Sequence, residues 1–417
     1  MDKIIFCNLD LLKRQIGQSD FPNFDLSEYD GSNLEKIRNK FLECAKEFCE
    51  GEENKIYFYS RNSANLSSAK SLFDGEGYTK FFYISRDRVK EFIGANLSIN
   101  NCFVVVGCKD KDFQMAVNGK ALYIVPTWLP LEDGPSRYGI HVDTPKQLYK
   151  FIKTLNNQNS WYSMLEVDNY TTCVSLMDAR YGRYAKDYKE KDMLENFQNI
   201  LKYGTSRSYY DILLYHFLAG MTNTTLFNDI ELFGMIPSSD CSVKMDLFGF
   251  MTQVRQLKGK RLPKNELLYA KPEWQNLLIR HTPKSKAHIG RDSYQRMQLG
   301  GTDEFATLCI NPQFENKINT LRNKEKLNIC IFDDYMTHGN SFNSVRVLLE
   351  HLGANKIIFV SMGLFKNPFQ KRDYEITGSV YQKGYRYREI KTEVLNNFII
   401  EECAKDEVSE LYDIFNS

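Results

Sequence analysis

The stretch from Asn328 to Phe365 constrains this chain more than any other part of it. It reads NICIF, then DDYMTHGNS, then FNSVRVLLEHLG, then KIIFVSMGLF. The two flanking runs are continuously apolar and rich in Ile, Phe and Val, which suits strands covered on both faces. Between them Phe342, Val345, Leu348, Leu349 and Leu352 recur at helical spacing, and Gly353 supplies a stop. A strand, helix and strand in this order close as a right-handed crossover between parallel strands. The spacing predicts a strand over 328–332, a loop over 333–341, a helix over 342–353 and a strand over 356–365.

The same alternation fills the first 130 residues. KIIFCNL (3–9), KIYFYS (55–60), KFFYIS (80–85), NCFVVVG (101–107) and KALYIVP (120–126) are of strand length and rich in β-formers. Leu34, Ile37, Phe41, Leu42, Ala45 and Phe48 mark a helix between the first two, with Asn33 to cap it and Gly51 to end it. The fold class read from this is α/β, with two Rossmann-like parallel-sheet domains. The first spans 1–130 and the second 190–370. A connecting helical segment, 131–189, separates them, and a strand and helix extension, 371–417, follows. A helix is expected over DTPKQLYKFIKTL, and a C-terminal docking helix over EVLNNFIIEECAKDEVSELYDIF. A strand is expected over SVYQKGYRYREI. The stretch ARYGRYAKDYKEKD fits no element.

Composition narrows the classes. Hydrophobic residues make up 42% and charged residues 26% of 417 positions, as in globular chains. No apolar run nears the ~18–20 residues that cross a bilayer, so no membrane association is expected. The opening MDKIIFCNLDLLKRQ lacks the pattern of an export signal. The ten cysteines form no Cys-x-x-Cys pair, which points to reduced thiols and a cytoplasmic location. A net charge of +1 gives no global attraction to nucleic acid. Residues 251–300 nevertheless carry eleven Lys/Arg against three Asp/Glu, a cluster suited to a small polyanion.

The loop at 333–341 leaves the carboxyl end of a strand and opens a helix, where open α/β sheets bind ligands. Backbone N–H groups from Thr337, His338, Gly339, Asn340 and Ser341 can converge on a phosphate, aided by the helix N-terminus. Two adjacent carboxylates, Asp333 and Asp334, would repel that phosphate unless they meet hydroxyls or a metal. A ribose 5-phosphate satisfies both halves, its diol meeting the acids and its phosphate the amides.

The string ICIFDDYMTHGNS resembles the phosphoribosyl-pyrophosphate (PRPP) motif of type I phosphoribosyltransferases. His338 stands where that motif has its second Thr, and Ser341 where it has its last. LKYGTSRSYYDILLYHFLAGM, FGMIPSS and LLIRHTPKSKAHIGRDSYQRM resemble the ComF-like branch of that family, without its Cys-rich zinc module. The resemblance covers roughly 190–370. It implies catalytic positions at Asp333 and Asp334, a 5-phosphate site at 337–341, and a pyrophosphate site at Ser238, Ser239, Arg280, Lys284, Lys286 and Arg291. It also implies Mg²⁺ arriving with PRPP, with no direct metal ligand on the protein.

The first block resembles the haloacid-dehalogenase-like (HAD) fold. The family positions read Asn8-Leu9-Asp10, Ser60, Lys80, then Gly107-Cys108 with Asp110 and Asp112. Asn8 replaces the nucleophilic Asp, and an amide cannot form an aspartyl-phosphate. Cys108 replaces an oxygen ligand of a hard cation. The implied HAD site is degenerate, without phosphatase activity.

The leading expectation is therefore a phosphoribosyltransferase that binds Mg²⁺–PRPP or a phosphoribosyl nucleotide and moves ribose 5-phosphate to or from a nitrogen acceptor. Two other readings stay open. One is a PRPP- or nucleotide-sensing protein of stress or phage defence without turnover, working as a homo-oligomer or with an operon partner. The other is a competence-type partner in single-stranded DNA handling, with nucleic acid the less favoured ligand.

Overall fold

The computed structural model describes residues 2–12, 31–50, 54–98, 101–154, 161–180, 185, 187–203, 207–264, 266–284 and 301–416. In the first sheet are β1 (Asp2–Asn8), β2 (Lys55–Ser60), β3 (Phe82–Ser85), β4 (Asn101–Val106), β5 (Leu122–Pro126) and β6 (Ile140–Val142). Their order is β3-β2-β1-β4-β5-β6, and every pairing is parallel. The chain winds outward in one direction from β1 and in the other from β4, which is a Rossmann-type arrangement. Alternate residues serve opposite faces, as the pleat requires. Ile4, Phe6, Val105 and Val125 pack with Val89 and Ile93 of helix Arg86–Ala95. Ile5, Cys7, Val104 and Ile124 pack with Phe41, Leu42 and Phe48 of helix Gly31–Glu50 and with Leu148 and Phe151 of helix Pro145–Thr154.

The later strands are β7 (Ser163–Glu166), β8 (Thr171–Asp178), β9 (Leu232–Met235), β10 (Leu278–Arg280), β11 (Leu308–Ile310), β12 (Asn328–Met336), β13 (Lys356–Leu364), β14 (Phe369–Thr377), β15 (Arg386–Leu395) and β16 (Ile399–Ile400). The second large sheet has the order β16-β7-β8-β13-β12-β9. Its inner members β8, β13, β12 and β9 are parallel, but β7 and β16 are antiparallel. The sheet is thus mixed rather than parallel throughout. The short connection between β7 and β8 explains this, because a few residues can join only antiparallel neighbours.

The segment 131–189 is more than a helical connector. It holds β6 of the first sheet, one helix of two turns or more, and β7 and β8 of the second. At the C-terminus, β15 runs to Leu395 and β16 pairs with β7 before helix Cys403–Asn416 begins. The expected docking helix is therefore shorter than its apolar pattern implied.

On one face of the second sheet, Cys330, Phe332, Ile358, Val360, Val174 and Leu176 meet Ile212, Leu213 and Phe217 of helix Arg207–Asn223. The opposite face brings Ile329, Ile331, Ile357 and Phe359 against Val345, Leu348 and Leu349 of helix Asn340–His351. Helix Arg207–Asn223 also touches β4 and β5, so one apolar core continues from the first sheet into the second. No helix among the described residues is long and apolar enough to cross a membrane. The cysteines are free thiols, and all but Cys241 and Cys403 are buried.

Candidate functional site

Strand β12 continues to Met336, so Asp333 and Asp334 lie inside it rather than in a loop. Asp333 stands opposite Ser361 of β13, and Phe332 opposite Met235 of β9. Both acids are therefore fixed at the carboxyl end of parallel strands. Asp333 is buried, and Asp334 is half-buried. Burial, and then the charge of Asp334, pushes the Asp333 carboxyl well above the usual carboxylate range. Burial alone would raise Asp334 too, but the Lys244 ammonium beside it outweighs that and holds it below its ordinary value. The pair is thus arranged as one carboxyl that keeps its proton easily and one carboxylate.

Thr337, His338 and Gly339 form the bend, and Asn340 and Ser341 open helix Asn340–His351. Gly339 is the N-cap, in the left-handed region with φ 71°. Its carbonyl accepts from Asn343 N–H at 2.7 Å. The His338 carbonyl accepts from Gln370 N–H at 2.9 Å, which ties the bend to β14. The positive end of the helix dipole lies at the bend.

The expected pyrophosphate residues divide. The Ser238 N–H donates to Ser242 O at 3.2 Å, and Lys284 N–H to Ser239 O at 2.8 Å, so the 237–244 turn and the basic segment are joined through backbone. Arg280 is buried, and its guanidinium donates to Pro237 O, to Thr307 Oγ1 and, at 2.7 Å, to Glu304 Oε2. Its guanidinium is enclosed by these protein partners, so Arg280 holds the turn in place. Lys284 Nζ donates to Glu304 Oε1, which also accepts from Ser341 Oγ at 2.7 Å. Burial would raise the Glu304 carboxyl, but Lys284 and Arg280 outweigh it and hold it at about 2. Lys286 and Arg291 lie outside the described residues.

Two residues here escaped the sequence reading: Lys244 and Glu304. Lys244 and Glu304 are single charges in unremarkable strings, and their partners are remote in the chain. Only the basic run 251–300 hinted that a counter-carboxylate was needed nearby. A protein-held Mg²⁺ fits poorly, since it favours carboxylates combined with ligand phosphates. Asp334 is paired with Lys244, burial favours the protonated form of Asp333, and no group of three His, Cys, Asp or Glu among the described residues could hold a metal ion.

At the first sheet, Asn8 ends β1 and Cys108 follows β4, the adjacent strands from which the chain winds in opposite directions. Asn8 Nδ2 donates to Asp112 Oδ2 at 2.8 Å, and Asn8 Oδ1 accepts from Asp10 N–H at 2.9 Å. Lys109 Nζ pairs with Asp10 at 2.5 Å. Asp112 is buried, and burial raises its carboxyl. Burial likewise pushes the Cys108 thiol far up, so it is no nucleophile at neutral pH. Ser60 Oγ accepts from Asn62 N–H at 3.2 Å, a turn contact. The structure brings Asn8, Asp10, Cys108 and Asp112 together, and Ser60 lies at the same edge of the sheet. Lys80 precedes β3 and so falls at the amino edge, away from them. Gly107 has no room for a side chain: a Cβ there would lie 2.4 Å from Asp112 Oδ2. Asn8, Asp112 and Gly107 thus close on one another.

Compared with protein-family models, with curated proteins and with solved structures, the chain matches none.

Proposed function

We propose that the carboxyl end of β12 binds the ribose 5-phosphate group of a phosphoribosyl compound, and that the protein moves this group to or from a nitrogen acceptor. The observation that carries the reading is one juxtaposition. Asp333 and Asp334 are rigidly held at a strand end, and a left-handed glycine starts a twelve-residue helix five residues later. Hydroxyls can both donate to a carboxylate and accept from a protonated carboxyl, so a vicinal diol suits a pair split into one of each. A phosphate suits the helix N-terminus and the Thr337 hydroxyl, Ser341 Oγ being already a donor to Glu304. Mg²⁺ would enter on the substrate's phosphates, where it would neutralise charge on a departing diphosphate.

Calorimetric titration with PRPP, ribose 5-phosphate and inorganic phosphate tests this. Replacing both Asp333 and Asp334 by Asn should leave phosphate binding unchanged or improved. Ribose-dependent affinity should fall by roughly 1.5–3 kcal/mol for each charge-assisted hydrogen bond lost. Wild-type protein that binds none of the ribose ligands at millimolar concentration with Mg²⁺ would remove the proposal.

A further inference from the structure

At the amino edge of both large sheets, away from the β12 loop, four lysines reach the turn 224–231 that leads into β9. Lys356 Nζ donates to Asp229 Oδ1 at 2.8 Å, and Lys260 Nζ to Glu231 Oε1 at 2.7 Å. Between these two acids stands the neutral Asn228. Its carbonyl accepts from Lys120 Nζ and its side-chain oxygen from Lys258 Nζ, both at a weak 3.4 Å. We infer that Lys258 is a carboxylation site, whose amine captures carbon dioxide reversibly as a carbamate.

The first support is space. Lys120 and Lys258 border a cavity of about 20 Å³ between β5 and two helices. Its other walls include Leu122 of β5, Leu218 and Met221 of helix Arg207–Asn223, and Leu257 of helix Met245–Leu257. That is room for one small molecule. Walls of this kind suit an apolar one better than a hydrated oxyanion.

The second support is the amine. Burial, and then the charges of Lys120 and Lys260, pull the Lys258 ammonium from 10.5 down to about 7. Lys258 caps the C-terminus of helix Met245–Leu257, which favours a cation, but these causes outweigh it. The acids facing it from the turn, Asp229 and Glu231, are held by Lys356 and Lys260. A neutral amine is therefore plentiful near neutral pH, and only the neutral amine is a nucleophile.

The third support is the charge of the product. The Nζ lone pair of Lys258 forms an N–C bond to the carbon of CO₂. One C=O π pair moves onto oxygen, and the nitrogen releases one proton to solvent. A cation that its neighbours repel thus becomes an anion that Lys120 and Lys260 attract.

The test equilibrates the full chain with ¹³C-labelled CO₂ and bicarbonate near neutral pH. Carbamates are then trapped by O-alkylation with a trialkyloxonium salt and mapped by mass spectrometry. The label should concentrate on Lys258 over the exposed lysines. The ¹³C NMR carbamate signal should vanish in Lys258→Arg. In Lys120→Met it should fall by about tenfold, because that change favours the Lys258 proton and removes a cation from the product. At fixed CO₂ pressure the signal should grow as pH rises through about 7, since capture releases a proton. Wild type without label on Lys258 under saturating CO₂, or with label spread evenly over its lysines, overturns the inference. Inorganic phosphate that binds here while Lys258 stays unlabelled overturns it too, in favour of a plain anion site. The wild-type map decides the matter even if a variant does not fold.

Discussion

Gly339 presents its bare Cα to the ring of Phe369: a Cβ built there would lie 2.1 Å from two ring carbons. β14 therefore requires that this position carry no side chain, and its φ of 71° adds a second demand for glycine.

Gly339→Ala should therefore destabilise the fold itself, whatever the ligand. Left-handed backbone for a non-glycine costs about 1–2 kcal/mol, and overpacking about 1–3 kcal/mol. Chemical denaturation should show a loss of about 2–4 kcal/mol, within those ranges. A double-mutant cycle with Phe369→Ala should show strong favourable coupling, since removing the ring makes room for the methyl group. Additive losses would mean that strain alone is responsible.

Glu304 gives an acid-range signature. Its folded carboxyl sits at about 2, below the unfolded value of 4.5. A depressed carboxyl contributes stability that is fully present above the unfolded value and is lost as pH falls through the folded one. Stability should thus decline between about pH 4.5 and 2, by about 3 kcal/mol from this group. Glu304→Gln should flatten that part of the curve, which pH-dependent urea denaturation can measure. An unchanged slope would remove Glu304 from the charge network.

Arg346 is buried in helix Asn340–His351 and donates to Arg372 O at 2.9 Å, Asp373 Oδ1 at 2.7 Å and Glu350 Oε1 at 2.8 Å. Asn343 adds two bonds to the Arg372 backbone. These side chains take the place of a neighbouring strand along the edge of β14. Arg346→Met should loosen the ribbon, with amide exchange rising over 369–395 more than over β12 and β13. Global stability should fall by about 1–3 kcal/mol, mainly from lost hydrogen bonds, because Glu350 and Asp373 are themselves more than a third exposed and leave no buried charge behind. Uniform exchange across the chain would contradict a local anchor.

The first sheet offers a pH test of opposite sign. Asn8→Asp would set a second carboxyl 2.8 Å from Asp112, whose carboxyl is already raised by burial. A raised carboxyl costs stability as pH climbs from the unfolded value through the folded one. The variant should be close to wild type near pH 4 and weaker by about 2 kcal/mol near pH 7. If the HAD resemblance holds, neither protein should hydrolyse an aryl phosphate, because in that alignment Cys108 replaces an oxygen ligand. Mg²⁺-dependent hydrolysis by wild type, abolished by Asn8→Ala, would overturn the degenerate reading.

Local periodicity alone was enough to read the apolar part of β12, helix Asn340–His351 and β13, and the first five strands of the opening sheet, whereas the last four residues of β12 read as loop. Each of these carries its own apolar repeat, and each repeat survives in a short window of sequence. β8 did not announce itself in this way. Its apolar run is broken by Ser175, which is wholly buried and shares a 2.6 Å hydrogen bond with Ser361 of β13. A polar residue inside a sheet is tolerable only when its partner strand is present. The Asp333–Asp334 pair and its glycine could likewise be named from the chain. The pairing of Lys244 with Asp334, and of Glu304 with Arg280, Lys284 and Ser341, could not. Those charges lie between 20 and 90 residues from their partners. Sequence determined which residues stand at the strand ends; the tertiary structure alone decided which of their charges remain to meet a ligand, because charges remote in the chain cancel only once folding brings them together.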